Sequence, residues 1–176
     1  MRTWDRIFVV IAVCVVPYAS TALDEKDLSR LLASRECPWC DLRNADLSHA
    51  RLSGAHLQGA SLSGVKLSGA DLSGADLSGA TLIRADLSGV DLSSASLVGT
   101  MLRGARLSHA NLSGAKLEKA NLADADLSET SLKGARLSEA RWTDGTKCAE
   151  GSIGECKKEA RPPGGPRSGR SPRGRF

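Results

Sequence analysis

A five-residue repeat occupies the middle of the 176-residue chain and constrains its fold more than any other feature. Leucine recurs at every fifth position from Leu42 to Leu137, twenty times without a miss, and Trp142 takes the next place in the series. Two positions before these leucines the residue is alanine in fifteen cases, and two positions after them glycine occurs eleven times. The consensus A-[D/N/K/R]-L-S-G therefore governs the backbone from residue 40 to residue 141.

Neither a regular helix nor a flat strand accommodates this period. On an α-helix, a step of five residues rotates the side chain by a net of about 140°, so the leucines would be scattered around the helix. On a strand, alanine and leucine share one face, but the next alanine comes three residues later and faces the opposite way. The pattern fits a chain that turns a corner in every repeat, with Ser-Gly at the bend because glycine permits positive φ. Such a chain coils, and its stacked coils can pair as parallel strands.

The repeat region resembles the pentapeptide-repeat family, whose motif is A-[D/N]-L-x-x, in stretches such as ADLSGADLSGATL at residues 70–82. The resemblance covers residues 40–141. It implies an all-β fold, a right-handed quadrilateral β-helix with four pentapeptides in each coil and about five coils. It also implies that Cys40 lies beneath Ala60. Every fourth repeat would then share one column, which holds Leu42, Leu62, Leu82, Leu102, Leu122 and Trp142.

Residues 1–22 have the features of a signal peptide. Two arginines precede the apolar run IFVVIAVCVV, and Ser20 and Ala22 provide small side chains before the predicted cleavage site. The run is shorter than the roughly 20 apolar residues that span a membrane, so a membrane anchor is the less favoured alternative. The bulky Val13 argues against lipoprotein acylation at Cys14. We therefore expect a bacterial protein that is exported to the periplasm or secreted, with no transmembrane span in the mature chain.

Three structured segments are predicted after the signal peptide. Residues 23–39 form a short N-terminal helical cap with a cysteine pair, because residues 24–36 place leucines at helical spacing behind a potential N-cap, Asp24. Residues 40–142 form the β-helix. Residues 143–156 form a C-terminal cap loop that contains a second cysteine pair. The caps are needed because a solenoid loses its terminal coils first.

The last segment, residues 157–176, is a basic tail with seven basic residues and one acidic residue among prolines and glycines. This composition cannot bury apolar surface, so we expect the tail to be disordered. The tail is a candidate for contact with anionic surfaces, and a solubilising role without a partner is the alternative. No aromatic residue is interleaved with its arginines, so specific nucleic-acid binding is not expected.

Removal of the signal peptide leaves four cysteines, and an even number in an exported chain indicates two disulfides. We predict Cys37–Cys40 before the repeats and Cys148–Cys156 after them, both as structural clamps. Exported members of the pentapeptide-repeat family often carry similar pairs. The Cys-Pro-Trp-Cys motif also resembles that of thioredoxin-like enzymes, but the βαβ pattern of those enzymes is missing here. A thiol-disulfide oxidoreductase is therefore an alternative, as are metal binding and free thiols.

The residue pattern predicts no enzyme, no cofactor and no metal site. His49 and His109 occupy equivalent places in the repeat, but sixty residues separate them, which corresponds to three coils. Three coils span roughly 14 Å, and metal–nitrogen bonds are only about 2 Å long. His56 falls on another side of the coil. The serines recur with the repeat, so a catalytic triad among them would be a coincidence.

The charge of the repeat region argues against the best-known activity of the family. Some members protect DNA gyrase by imitating duplex DNA, which requires a strongly negative rod. Residues 41–141 contain eleven acidic and eleven basic residues, and no hydrophobic dimerisation helix follows them. We expect a structural or protein-interaction module whose partner, a protein or other cell-envelope component, is unknown. An intracellular DNA mimic that binds a topoisomerase is the main alternative.

Three apolar residues at outward positions of the repeat form a candidate interaction patch. Ile83 and Met101 flank leucines that are one coil apart on the same side, and Val98 lies just before the corner that leads onto that side. The three side chains should approach within about 10 Å of one another. Arg84 and Arg103 flank them, so the sequence predicts an apolar spot with a basic rim. The alternative is that isolated surface apolar residues have no function.

Overall fold

The structure is a computed structural model, and it describes residues 25–158. The predicted signal peptide, the predicted N-cap Asp24 and residues 159–176 of the tail lie outside the described residues. Between residues 25 and 158, no helix is both long enough and apolar enough to cross a membrane. The described chain consists of one helix, a stack of coils and a C-terminal loop.

Helix α1 spans Glu25–Ser34 and covers the N-terminal end of the coils. It forms because its leucines recur at helical spacing, and Leu31 is fully buried while Leu28 packs partly buried on the core. Leu32, which the sequence places on the same stripe, is 49% exposed. Among the leucines of α1, the apolar contact with the coils is therefore made by Leu28 and Leu31, which lie about one helical turn apart.

The helix ends in a left-handed residue. Arg35 adopts a φ of 60°, and its N–H donates to the Leu31 carbonyl at 2.8 Å. This bond is the one expected of an αL cap, in which the first residue past the helix satisfies a free carbonyl of the last turn. The observed helix is slightly shorter than the predicted span of residues 24–36, and Glu36 already belongs to the first β-bridge.

Eighteen isolated parallel bridges join residues that are twenty positions apart, from Glu36–His56 to Asn121–Arg141. Each bridged residue directly precedes an inward side chain of the repeat, and no strand longer than one residue occurs within the described chain. Twenty residues correspond to four five-residue repeats, so neighbouring coils are offset by four repeats. The fold is therefore of the β-helix type, as the repeat predicts.

The repeat of Leu52 shows how the backbone is satisfied. Asp71 donates its N–H to the Ala50 carbonyl at 2.9 Å, and its own carbonyl accepts from the Leu52 N–H at 2.7 Å. The Ala55 N–H then closes a four-residue turn on the Leu52 carbonyl at 3.0 Å, with a φ of 66° at Gly54. A positive φ at the third turn residue is the requirement of a type II turn. The predicted bend at Ser-Gly is therefore present.

The interior is filled by the leucine and alanine positions of the repeat. Every repeat leucine from Leu42 to Leu122 is at most 4% exposed. Thr100 occupies an alanine position and is fully buried, and its hydroxyl donates to the Leu77 carbonyl at 2.9 Å. The one polar side chain in this column therefore keeps a hydrogen-bond partner inside the core.

The C-terminal loop covers only part of the last coil. Two antiparallel bridges, Arg136–Ile153 and Arg141–Lys147, hold the loop along the repeats of Leu137 and Trp142. Two other repeats of the last coil, those of Leu127 and Leu132, remain partly buried. Within residues 25–158, the backbone N–H groups of these two leucines have no hydrogen-bond acceptor.

Residues 157 and 158, which the sequence assigns to the tail, belong to this loop in the structure. Lys158 forms an antiparallel bridge with Cys148. Its Nζ lies 2.7 Å from Asp144 Oδ2, and the Lys157 N–H donates to the Ser152 hydroxyl at 3.2 Å. These polar contacts extend the loop two residues past Cys156.

Candidate interaction surface

The outward positions on either side of each leucine decide the surface chemistry. In six of the twenty leucine repeats, an aspartate before the leucine accepts a hydrogen bond from the serine after it. Asp71 Oδ1 accepts from the Ser73 N–H at 3.0 Å and from the Ser73 hydroxyl at 2.7 Å. The hydrogen bond from Ser73 holds the pKa of the Asp71 carboxyl below its usual range. The same backbone contact recurs at Asp46, Asp76, Asp86, Asp91 and Asp126.

On one side, none of the five repeats has this pair. This side is formed by the repeats of Leu42, Leu62, Leu82, Leu102 and Leu122, and we call it the arginine side. The residues before its three central leucines are not acidic, and the residues after them include Ile83 and Arg103. The central part of this side therefore presents long side chains in place of the aspartate–serine pairs.

A groove of about 580 Å³ runs along the arginine side. Because Asn44 and Asp124 are eighty residues apart, and coils are offset by twenty, residues of five successive coils line the groove. The lining contains three arginines and one aspartate, so the charge of the groove remains positive even when Asp41, which pairs with Arg43, is counted. Its lining consists of Arg43, Asn44, Ser63, Gly64, Ile83, Arg84, Arg103, Gly104 and Asp124.

Two of the three arginines pair with carboxylates at opposite ends of the groove. Arg43 donates to both oxygens of Asp41, with Nε–Oδ1 at 2.8 Å and Nη2–Oδ2 at 2.6 Å. This contact lowers the pKa of the Asp41 carboxyl. Arg103 Nε lies 3.2 Å from Asp124 Oδ2, and both of these side chains are about two thirds exposed (67% and 68%). Exposed ion pairs of this kind contribute about 0–1 kcal/mol, so they are easily exchanged.

Arg84 is the third arginine of the groove. Within residues 25–158, its guanidinium has no hydrogen-bond or ion-pair partner. Its backbone lies at a corner with a φ of 56°, a conformation that usually favours glycine. Its N–H donates to the Arg103 carbonyl at 3.0 Å, so the two arginines stand on adjacent coils. The side chain of Arg84 rests over Gly104, where a Cβ would meet its Cγ at 3.6 Å.

The five residues of the predicted patch are distributed over two sides. Ile83, Arg84 and Arg103 line the groove together, and Ile83 is half-buried. Met101 is 46% exposed and bridges to Thr81 on the arginine side, although it is not part of the groove lining. Val98 is half-buried on the preceding side, before the corner at Gly99.

Sequence reasoning missed Arg43 and Asn44 as groove residues. A signal was present, because Arg43, Ile83 and Arg103 all directly follow a leucine and are separated by multiples of twenty residues. The predicted patch contained outward apolar residues and the arginines next to them. Arg43 lies two coils away from Ile83, so it was not included. Asn44 occupies a corner with a φ of 60°, and its Oδ1 lies over Gly64.

The Cys37–Cys40 pair is a disulfide beneath helix α1. Both cysteines are at most 1% exposed, and Cys37 takes a leucine position, since its N–H donates to the His56 carbonyl at 2.8 Å. Arg30 Nη2 lies 2.6 Å from Cys40 Sγ, and the Asp27 carbonyl oxygen lies 3.2 Å from Cys37 Sγ. The disulfide therefore lies within the first coil, helix α1 contacts its sulfurs through Arg30 and Asp27, and the sulfurs are shielded from solvent.

Asp27, Cys37 and Cys40 form the one group of side chains between residues 25 and 158 that is close enough to hold a metal ion. The two sulfurs are bonded to each other, so they cannot act as thiolate ligands in this state. The histidines lie elsewhere, with His109 Nδ1 3.1 Å from Glu129 and His56 Nε2 3.7 Å from Glu36.

The second disulfide, Cys148–Cys156, ties the C-terminal loop to itself. Cys148 is fully buried, and its N–H donates to the Ala140 carbonyl at 2.8 Å. Cys156 is only partly buried against the core. The pair therefore attaches the loop to the coil through Cys148.

One solved structure supports the fold, and others match parts of the chain. The protein alr5209, a pentapeptide repeat protein from Nostoc PCC 7120, is 32% identical over 59% of this chain and 84% of its own, with a TM-score of 0.50. Rfr23, a pentapeptide repeat protein from the cyanobacterium Cyanothece 51142, is 30% identical over 67% of this chain and 98% of its own, with a TM-score of 0.37. QnrB1, a plasmid-mediated fluoroquinolone resistance protein, is 22% identical over 60% of this chain and 64% of its own, with a TM-score of 0.32.

No curated protein sequence matches the chain. The family model for pentapeptide repeats, in contrast, matches residues 40–79, 70–108 and 105–141 with eight copies. The match covers residues 40–141, more than half of the chain, and it coincides with the leucine and glycine positions that build the coils. The chain is a member of the pentapeptide repeat family.

Proposed function

We propose that this protein is an exported, non-enzymatic interaction module. In this proposal, a right-handed quadrilateral β-helix of about five coils holds a docking surface for a protein of the cell envelope. The observation that carries the proposal is the arginine side. None of its repeats has an aspartate–serine pair, and Ile83, Arg84 and Arg103 line one groove there. The docking surface is the predicted patch, which these three residues form together with Val98 and Met101.

Export is supported by two features of the chain. The first 22 residues carry the charge, apolar run and small residues of a signal peptide. The described residues contain two disulfides, which persist in oxidising compartments. The basic tail beyond residue 158 is proposed to contact anionic surfaces of the envelope.

The two rival functions have weaker physical support. A DNA mimic needs a negative surface, whereas the repeat region is neutral by residue count and its groove is lined by three arginines and one aspartate. A thiol-disulfide enzyme needs an accessible sulfur with thiolate character, whereas Cys37 and Cys40 are buried under α1.

A capture experiment in the native bacterium tests the proposal. Wild-type protein is located by fractionation and cross-linked to its neighbours, and the double variant Ile83→Ser, Met101→Ser is treated in parallel. The matched control is Leu32→Ser, Ile153→Ser, which removes two apolar residues that are also exposed but lie away from the patch. A chain ending at residue 158 tests the tail separately.

We expect envelope localisation for all variants and loss of the cross-linked partner only for Ile83→Ser, Met101→Ser. Recovery of the wild type with DNA and a topoisomerase in the cytoplasm would support the DNA mimic. Insulin reduction by the purified protein would support the redox enzyme. Equal cross-linking by the patch and control variants would overturn the docking surface.

A further inference from the structure

We propose that the groove on the arginine side binds a short acidic segment of the partner protein, in which an apolar residue lies between two carboxylates. This inference rests on the proposed function and names the chemistry of its partner. The carboxylates would contact Arg43 at one end of the groove and Arg84 with Arg103 at the other. The apolar side chain would lie against Ile83.

Charge complementarity is the first argument. Arg84 and Arg103 lie on neighbouring coils, joined by the hydrogen bond between the Arg84 N–H and the Arg103 carbonyl, and both line the groove. Asp124 contacts Arg103 alone, and Arg84 has no partner within the described chain. A carboxylate from outside would give Arg84 a partner and could accept hydrogen bonds from its guanidinium fork.

The existing ion pairs do not block the groove. The Arg103–Asp124 pair is about two thirds exposed on both sides (67% and 68%). In the Arg43–Asp41 pair, the arginine side chain is 56% exposed and the aspartate 38%. Pairs with this exposure are weak, because water and salt screen them. A partner carboxylate with an additional apolar contact competes with them without a structural change.

The ends of the groove favour a peptide over a polyanion. Asp41 pairs with Arg43 on the coil at one end of the groove, and Asp124 lines the other end. A nucleic acid or another polymer with regularly spaced negative charges would place charge along the whole groove, including next to these two carboxylates. Ile83, at the centre of the lining, offers an apolar contact that a phosphate backbone does not use. A segment with few charges and one apolar residue fits both features.

The length of the groove sets the spacing of the acidic residues. Arg43 and Arg103 are three coil steps apart, which corresponds to roughly 14 Å. An extended peptide covers about 3.4 Å per residue, so residues four positions apart match that distance. Side chains in an extended peptide alternate, so the first, third and fifth residues face the same surface. The segment is therefore acidic, apolar and acidic at alternate positions.

A direct binding measurement tests this assignment. Fluorescence anisotropy follows the labelled peptide SESLSES with the purified protein, and SQSLSQS serves as the uncharged control. The diagnostic variant is Arg84→Gly, which removes the guanidinium and places the preferred residue at a corner of positive φ. Lys119→Gly is the matched control, because Lys119 is also a basic residue at such a corner, with a φ of 62°, and lies outside the groove.

We expect SESLSES to bind and SQSLSQS to bind at least ten-fold more weakly. The loss of one charged hydrogen-bonding group is expected to weaken SESLSES binding by about ten-fold in Arg84→Gly, and Lys119→Gly should bind like the wild type. Equal affinity of wild type and Arg84→Gly, or no preference for the acidic peptide over SQSLSQS, would overturn the inference. Tighter binding of a single-stranded oligonucleotide than of SESLSES would overturn it in favour of a polyanion.

The two proposals can fail separately. If the peptide does not bind but Ile83→Ser, Met101→Ser still loses the cross-linked envelope partner, the acidic-segment inference is wrong and the docking surface stands. If the peptide binds through Arg84 but the cross-linked partner is unaffected by Ile83→Ser, Met101→Ser, the groove is a binding site and the patch is not the docking surface.

Discussion

The two ends of the β-helix are both closed by a segment that contains a disulfide, but they are closed to different extents. At the N-terminal end, α1 and the Cys37–Cys40 disulfide leave the leucines of the first coil at most 4% exposed. At the C-terminal end, Leu127 and Leu132 remain partly buried beside the loop. The difference arises because the N-terminal cap inserts a buried leucine and two buried cysteines, whereas the C-terminal loop follows only two repeats of the edge.

This comparison shows that a β-helix end has two requirements that one segment need not meet together. One is apolar cover for the exposed core, which Leu31 provides at the N-terminal end. The other is a set of hydrogen-bond partners for the last backbone groups, which the loop provides at the repeats of Leu137 and Trp142. Helix α1 meets both requirements at the N-terminal end, because it carries Leu31 and also Asp27, whose Oδ2 accepts from the Asp41 N–H at 3.0 Å.

The largest expected effect is the difference in stability between placing a lysine at a fully buried leucine and placing one at a partly buried leucine. Leu52→Lys places a charge at a position that is 1% exposed, which costs several kcal/mol and should unfold the coil. Leu132→Lys should remain folded, because the side chain of Leu132 is only partly buried and a lysine there can reach solvent. Far-UV circular dichroism with urea titration measures both. Equal destabilisation would show that the C-terminal end is closed as well as the N-terminal one.

Loss of the N-terminal disulfide should also destabilise the protein more than loss of the C-terminal one. Replacing Cys37 and Cys40 by alanine should cost about 2–5 kcal/mol, since the bond is lost together with the contacts of two buried sulfurs. Replacing Cys148 and Cys156 should cost less, because Cys156 is only partly buried. Denaturant midpoints of the two double variants, each compared with the oxidised wild type, give the order. A larger loss at the C-terminal pair would contradict it.

A single hydrogen bond tests the anchoring of α1. Asp27→Ala leaves the Asp41 N–H without the Asp27 carboxylate and should destabilise the protein by roughly 1.5 kcal/mol, the lower range for a bond to a charged group. Asp27→Asn retains an acceptor and should restore part of the loss. Amide hydrogen exchange at Asp41 is the measurement. Unchanged exchange in Asp27→Ala would mean that α1 is held by Leu31 alone.

Substitution of corner residues by glycine should produce small gains in stability that differ between the two ends. Glu129 lies at a corner of the open part of the last coil with a φ of 57°, so Glu129→Gly should stabilise by about 0.5–1 kcal/mol. Asn44, with a φ of 60° near the N-terminal end, should gain little on replacement by glycine, since asparagine tolerates this conformation. Thermal melts of the two variants provide the test. A loss of stability in Glu129→Gly would indicate that its ion pair with His109 outweighs the backbone strain.

The smallest expected effect is the acid sensitivity of the C-terminal loop. Hydrogen bonds from Lys158 and Thr146 hold the pKa of Asp144 well below its usual range. A depressed folded-state pKa means that the stabilisation is present above the unfolded pKa of about 3.9 and is lost as the pH falls below it. The difference in Tm between wild type and Asp144→Asn should therefore shrink below about pH 4. A difference that grows in acid would contradict the assignment.

The interior of the fold could be predicted from the sequence because one periodic pattern determines it. Leucine and alanine face inward, and glycine marks the corners, so the stacking of Cys40 in an inward position also follows. The positive φ at Arg84 and Lys119 could not be predicted from these two residue types, since arginine and lysine do not favour it as glycine does. Those corners adopt it because the bridges on both sides fix the backbone.

The candidate site was predicted less completely than the fold. Ile83, Arg84 and Arg103 were found because they depart from the consensus within neighbouring repeats. Arg43 was missed because its contribution depends on a groove that extends over five coils. The loop after Trp142 has no period, so its antiparallel bridges and the inclusion of Lys158 depend on tertiary contacts that sequence alone does not specify.

The twenty-residue offset between bridged positions also determines how such a chain can lengthen by duplication. A duplicated block of twenty residues adds one coil and leaves every surface column in place. A duplicated block of five residues instead moves everything after it by one side of the coil. Inserted between Arg84 and Arg103, such a block would separate the two guanidinium groups while keeping every leucine buried. A change in the number of five-residue repeats can therefore rearrange the surface of this protein without changing its core.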